Sequence, residues 1–149
     1  MVNSKEIHGA KLLIVDDLPS DLLLLKNILS AEGYGSVDST LDPVTVCELH
    51  RKNQYDLILL DLNMPGMNGF EVMEGLKELK GSEGSEEAPD LPVLVVTTQP
   101  DHWIRALGAG ARDFMSKPFK IPELLGHVRC LLEDGLTASW PGRALREGR

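Results

Sequence analysis

The sequence predicts an open α/β sheet with helices on both faces, and three observations carry that prediction. Continuous apolar runs of strand length recur along the chain, amphipathic stretches separate them, and polar residues stand where the runs stop. Runs of this kind mark strands buried on both faces, as in a parallel sheet. Strands that alternate with helices pair in parallel through right-handed crossovers.

Three strands are well marked. Lys11 to Val15 ends at Asp16-Asp17, Tyr55 to Leu60 ends at Asp61, and Pro92 to Val96 ends at Thr97-Thr98. Weaker strands are expected over Gly35 to Ser39 and Asp113 to Ser116. A helix is expected from Pro19 to Ala31, with Pro in its first turn and Gly33 past its end. A second covers Pro43 to Lys52 behind the N-cap candidate Asp42. A third covers Phe70 to Leu79, with Phe70, Met73, Leu76 and Lys77 at helical spacing. Asp101 to Leu107 and Pro122 to Leu132 complete five, so the chain reads as β-α five times: a doubly wound five-stranded parallel sheet with five helices. Lys80 to Asp90 is rich in Gly, Ser and Glu and is expected to be a flexible surface insertion. The expected domain runs from 10 to 134, after an N-terminal extension (1–9) and before a linker or tail (135–149) bearing Pro141 and Gly142.

Composition narrows the function classes. At 149 residues, 42% apolar and 26% charged, the chain suits one folded domain. A net charge of -8 argues against general affinity for nucleic acid or anionic membrane. It suits a protein that gathers carboxylates around a cation. Cys47 and Cys130 form no CxxC pair and read as free buried thiols in a reducing cytoplasm. His8, His50, His102 and His127 lack metal-ligand spacing, and surface or capping roles are expected of them. The N-terminus has no signal-type apolar region, and no run approaches the ~20 residues of a membrane helix. A soluble cytoplasmic protein is expected, with no membrane contact and no direct nucleic-acid binding; a helix-turn-helix would need more helices and a basic face.

In open α/β sheets ligands bind beyond the carboxyl ends of the strands. Asp16, Asp17, Asp61, Thr97 and Lys117 all stand at such ends, so the topology should bring them together. Adjacent carboxylates repel unless a cation offsets them. Asp16, Asp17 and Asp61 with water would make a hard oxygen site of the kind Mg²⁺ prefers; the competing reading is that the pair Asp16-Asp17 caps the helix at Pro19. A carboxylate such as Asp61 attacks phosphorus only when the phosphoryl charge is neutralised and the attack is in line. A divalent cation, the Lys117 ammonium and the Thr97 hydroxyl are the candidates for that task. The glycines and Pro65 shape a tight loop beside Asp61. Lys117-Pro118 is a candidate cis peptide; the competing reading is an exposed Lys before a helix-start Pro.

With these residues in place the sequence resembles the receiver domain of two-component response regulators, over residues ~10 to 134. The resemblance rests on Leu12-Leu13-Ile14-Val15-Asp16-Asp17, on Asp61-Leu62-Asn63-Met64-Pro65-Gly66-Met67-Asn68-Gly69, on Thr97 at a strand end, and on Gly108 through Phe119. The order and spacing of these motifs make it specific. It implies a flavodoxin-like, CheY-like sheet of strand order 2-1-3-4-5. It implies that Asp61 accepts a phosphoryl group from a histidine kinase or a histidine phosphotransfer protein. Asp17 would bind Mg²⁺ directly and Asp16 mostly through water, the Asn63 carbonyl would be a further ligand, and Mn²⁺ would substitute. Lys117 would pair with the phosphoryl group, Thr97 would move toward it, and the aromatic Phe114 would follow Thr97. The fourth predicted helix, fifth strand and fifth predicted helix would report the change and offer a homodimer surface.

Some positions carry two readings. Phe114 is either that switch or a plain core aromatic. Thr98 stands where the family often has Ala, and its bulk either narrows access to the phosphoryl group or is harmless. Asn63 and Gln99 lie near the expected path of hydrolytic water. Trp103 either packs or faces a partner. Two rival functions remain: a pseudo-receiver that signals without phosphorylation, and a hydrolase of the haloacid dehalogenase type. The latter needs a second Asp two residues after its nucleophile, where this chain has Asn63. A nucleotide-binding fold would need a glycine-rich loop after the first strand, and there is none.

Overall fold

The computed structural model describes residues 4–62, 69–82, 91–98 and 102–137. The elements run α1 (Ser4–His8), β1 (Lys11–Val15), α2 (Pro19–Glu32), β2 (Ser36–Thr40), a 3-10 turn (Pro43–Thr45), α3 (Val46–Asn53), β3 (Leu57–Leu60), α4 (Gly69–Ser82), β4 (Val93–Thr97), α5 (Trp103–Gly108), β5 (Asp113–Ser116) and α6 (Ile121–Thr137). The five strands lie in the order β2-β1-β3-β4-β5, and every pairing is parallel.

Side chains of β1, β3 and β4 alternate between two cores, because successive strand residues face opposite sides of a sheet. Leu12, Ile14, Leu57, Leu59, Leu94 and Val96 join residues of α1, α2 and α6 on one face. Leu13, Val15, Ile58, Leu60, Val93 and Val95 join residues of α3, α4 and α5 on the other. The sheet is therefore doubly wound. Leu12, Leu13, Ile14, Leu57, Ile58 and Leu60 have no exposed surface, and each such side chain contributes about 1.5–3 kcal/mol of transfer free energy. The rigidity of this central sheet fixes the strand ends on which the site is built.

Element ends follow local chemistry. Gly33 stops α2 at φ 119, its N–H bonding back to the carbonyls of Leu29 and Ser30. That left-handed conformation costs glycine nothing for want of a Cβ. Asp42 caps the next turn by accepting the Val44 N–H at 3.0 Å.

Several details differ from the sequence expectation. A sixth helix, α1, precedes the five expected. It buries Ile7 completely, and the His8 carbonyl accepts the Gly35 N–H at 3.2 Å. The segment Lys80 to Asp90 does not begin as a loop, since α4 continues through Ser82; positions 83–90 lie outside the described residues. Helix α6 runs on to Thr137, into the expected tail. The two cysteines are free but not buried: Cys47 is half-buried and Cys130 is exposed. Cys130 points outward because α6 turns the neighbouring Val128 and Leu131 to the core. Trp103 is 46% exposed at the start of α5.

Candidate functional site

The site is assembled by backbone hydrogen bonds that extend the ladder one residue past each strand. The Asp16 N–H donates to the Thr40 carbonyl at 3.3 Å, the Asp61 N–H to the Val15 carbonyl at 3.0 Å, and the Lys117 N–H to the Thr97 carbonyl at 2.8 Å. Each side chain therefore leaves the same edge of the sheet. Of the residues expected to converge, the structure brings the side chains of Asp16, Asp17, Asp61 and Lys117 together, and Thr97 is tied to Lys117 through its backbone carbonyl. Thr97 is fully buried at the end of β4, while Thr98 beside it is exposed.

Carboxylate oxygens of Asp16, Asp17 and Asp61 all lie within 4.8 Å of one another. Asp16 and Asp61 are buried, with 1% and 7% of their surface exposed. Buried carboxylates at this spacing repel, and burial strengthens the repulsion. Two devices offset it. Asp16 Oδ1 accepts the Leu18 N–H at 3.1 Å; that bond orders the turn before α2, whose N-cap is Leu18 with no side-chain cap, so the pair Asp16-Asp17 does not cap the helix. Lys117 supplies the positive charge: its Nζ lies 2.6 Å from Asp16 Oδ2, 2.7 Å from Asp21 Oδ2 and 3.7 Å from Asp61 Oδ2. The Lys117-Pro118 peptide is cis.

Lys117 holds its proton more tightly than usual. Burial works against the ammonium, but hydrogen bonds from Asp16 and Asp21 and the charges of Asp16 and Asp61 outweigh it and raise the pKa above the ordinary 10.5. The site thus carries a permanent cation among carboxylates. The trio Asp16, Asp17 and Asp61 is a cluster of hard oxygen donors, some still reachable by water, which fits Mg²⁺ and its habit of keeping several waters.

Phe114 lies on β5 opposite Val95 of β4, and Ser116 lies opposite Thr97. Val95 and the partly buried Phe114 both pack in the α3–α4–α5 core. By strand alternation Thr97 faces that same layer, diagonally one pair from Phe114. Asn63 and Gln99 lie outside the described residues. The four histidines have other partners: His50 Nδ1 accepts the Tyr55 N–H, His8 packs edge-on to Tyr34, His102 lies against Phe70, and His127 pairs with Asp113.

The residue that sequence reasoning missed is Asp21. It reads as an ordinary acid in the first turn of a helix, where negative charge is favoured by the helix dipole. The available signal was its position four residues after Asp17 and one turn into a helix that starts at the strand end.

The model of the response regulator receiver domain family matches residues 12–129. The chain is 31% identical over 131 residues to the transcriptional regulatory protein TcrA of Mycobacterium tuberculosis, covering 87% of this chain and 48% of that protein. It is 35% identical over 125 residues to the response regulator PleD of Caulobacter vibrioides, covering 83% and 26%. The chain therefore spans about half of the one and a quarter of the other. Among solved structures, the Vibrio cholerae chemotaxis protein CheY4 aligns with TM-score 0.70 and 29% identity over 83% of this chain and 98% of that one. The receiver domain of a signal transduction histidine kinase from Syntrophus aciditrophicus aligns with TM-score 0.72 and 30% identity, covering 89% and 96%. The family model's match over residues 12–129, which takes in nearly the whole five-stranded sheet, places this chain in the response regulator receiver domain family.

Proposed function

We propose that the chain is a phosphoryl-accepting switch in which Asp61 takes a phosphoryl group from a phosphohistidine on a histidine kinase or phosphotransfer protein. The observation that carries this reading is the placement of the Lys117 ammonium 3.7 Å from Asp61 within the cluster of three carboxylates. Asp61 Oδ attacks phosphorus in line, the phosphorus–nitrogen bond to the donor imidazole breaks, and the imidazole leaves with the bonding pair and takes up a proton. Lys117 and the Thr97 hydroxyl bind oxygens of the transferred group.

Asp16, Asp17 and Asp61, joined by the Asn63 carbonyl, would hold Mg²⁺, and Mn²⁺ would serve in its place. The bound cation supplies charge neutralisation on the phosphoryl oxygens. The receiver domain of the Pseudomonas aeruginosa sensor histidine kinase PA1611 is described with a magnesium ion in its active site cleft, which supports this assignment. Water attack on the aspartyl phosphate resets the switch.

The signal leaves through Thr97 and Phe114, which share a sheet face. Trp103, Ile104 and Leu107 expose apolar surface on α5, which supports the surface of α5, β5 and α6 as the place where a second copy or a target docks. No described helix is long and apolar enough to cross a membrane, and a cytoplasmic location suits the proposed partners.

Incubation with a small phosphodonor and Mg²⁺ should add one phosphoryl group by mass, and Asp61→Asn should abolish the addition. Undiminished labelling of that variant would reject Asp61 as the acceptor.

A further inference from the structure

We propose that Asp21 is a positioning residue that holds the Lys117 ammonium away from the acceptor until a phosphoryl group draws it across. The proposal rests on Asp61 being the acceptor. An ammonium has three donors. Two of them are used at 2.6 Å by Asp16 and at 2.7 Å by Asp21. Asp61, at 3.7 Å, lies beyond hydrogen-bond range. At rest, Lys117 is therefore turned toward α2 rather than toward the acceptor.

Asp16 and Asp21 differ in what they can do next. Asp16 belongs to the trio of converging carboxylates, so a cation there would compete with Lys117 for it. Asp21 lies outside that trio and keeps its full charge for Lys117. Its side chain is 31% exposed against 2% for Asp16, so it can be released to water at little cost once the ammonium leaves. The contact is a reversible hold. It weakens phosphoryl binding by the work of breaking one charge-assisted hydrogen bond, and it sets how completely Lys117 engages.

The test uses the whole chain, magnesium and beryllofluoride, with saturation followed by amide NMR. Asp21→Asn should lower the half-saturating beryllofluoride concentration about three- to tenfold, the scale of a partly screened ion pair. Asp21→Glu should restore the wild-type value. In the metal-free protein, Asp21→Asn should also shift the Lys117 ammonium resonance. Asp21→Ser, well tolerated near a helix start, repeats the test if Asp21→Asn does not fold. In a Lys117→Ala background the Asp21→Asn effect should vanish. If it persists there, the effect is general charge and the proposal fails. Unchanged or weaker binding by Asp21→Asn in the Lys117-containing protein also overturns it. Absence of any beryllofluoride response in the wild type would instead overturn the acceptor reading beneath it.

Discussion

Lys117 Nζ and Asp16 Oδ2 meet at 2.6 Å across 101 residues of sequence. The pair closes the acidic edge of the sheet by joining the end of β1 to the loop after β5. Both side chains are largely buried, at 11% and 2% exposed, so neither charge is well solvated without the other.

Removing that cation should therefore expose a conflict among the carboxylates. Lys117→Ala leaves Asp16 and Asp61 buried without their shared counter-charge, which for a buried pair costs on the order of 3 kcal/mol. In urea unfolding the variant should be markedly less stable without magnesium, and magnesium should restore more stability to it than to the wild type. It should still accept some phosphoryl group, since Asp61 remains, but with a weakened switch. Equal magnesium dependence of the two proteins would contradict the account.

The converse substitution should stabilise. Asp17→Asn removes one of three carboxylates within mutual reach, and the lost repulsion should raise metal-free stability by about 1 kcal/mol. The same variant should bind Mg²⁺ more weakly, by isothermal titration. A site that gains stability when it loses a ligand is arranged for function rather than for folding. A metal-free Asp17→Asn protein no more stable than wild type would argue that the carboxylates are already well screened.

Most of the sheet, and less of its surroundings, was legible in the sequence. β1, β3 and β4 announce themselves because both faces are covered, so apart from Lys11 at the start of β1 and Thr97 at the end of β4 their residues are apolar. β2 and β5 are edge strands with less to bury; only Val37 of β2 is in the core, and they read faintly. The strand order came from family resemblance, because alternation alone does not choose among doubly wound orders. Helix α1 was invisible, since five residues with the one buried apolar side chain Ile7 show no periodicity. Asp21 was overlooked for a related reason: a first-turn acid looks the same whether it faces water or an ammonium.

Alkaline pH gives a separate check on the Lys117 and Tyr55 environments. Lys117 has its pKa raised, by its carboxylate partners against the opposing effect of burial. Tyr55 has its pKa raised by burial and by the hydrogen bond to Asp38. In both cases the folded state holds the proton more tightly than the unfolded chain does. Their contributions are then fully present below the unfolded values, near 10, and are lost as pH rises through the folded ones. Stability should be flat in these contributions at neutral pH and fall above roughly pH 10. Tyr55→Phe and Lys117→Ala should each flatten part of that fall in pH-dependent melting. A full-sized fall in the double variant would assign it elsewhere.

Thr97 and Phe114 allow phosphorylation to be separated from signalling. Thr97→Ala should keep Asp61 chemically competent, because the carboxylate cluster and Lys117 are untouched. It removes the hydroxyl and the methyl that link the strand end to the layer where Phe114 packs. Beryllofluoride should then perturb amides around Asp61 but no longer those of β5. Wild-type shifts at Phe114 in the variant would show that the signal takes another route.

Gly69 is the position where backbone space, rather than charge, governs the placement of Asp61. Its N–H donates to the Leu62 carbonyl at 2.9 Å, bringing the start of α4 hard against the end of β3. A Cβ built there would lie 2.8 Å from Leu62 Cα and 2.9 Å from the Asp61 carbonyl oxygen. Those atoms are backbone and cannot swing aside as a side-chain tip would, so Gly69→Ala must move either the helix start or the acceptor strand end. Overpacking of this kind costs about 1–3 kcal/mol, and here the displacement falls on Asp61, the proposed acceptor, whose alignment an in-line attack would need. The variant should lose stability and should also phosphorylate more slowly under conditions where it is fully folded. A folded Gly69→Ala protein labelled at the wild-type rate would show that α4 yields and that the geometry at Asp61 is independent of it.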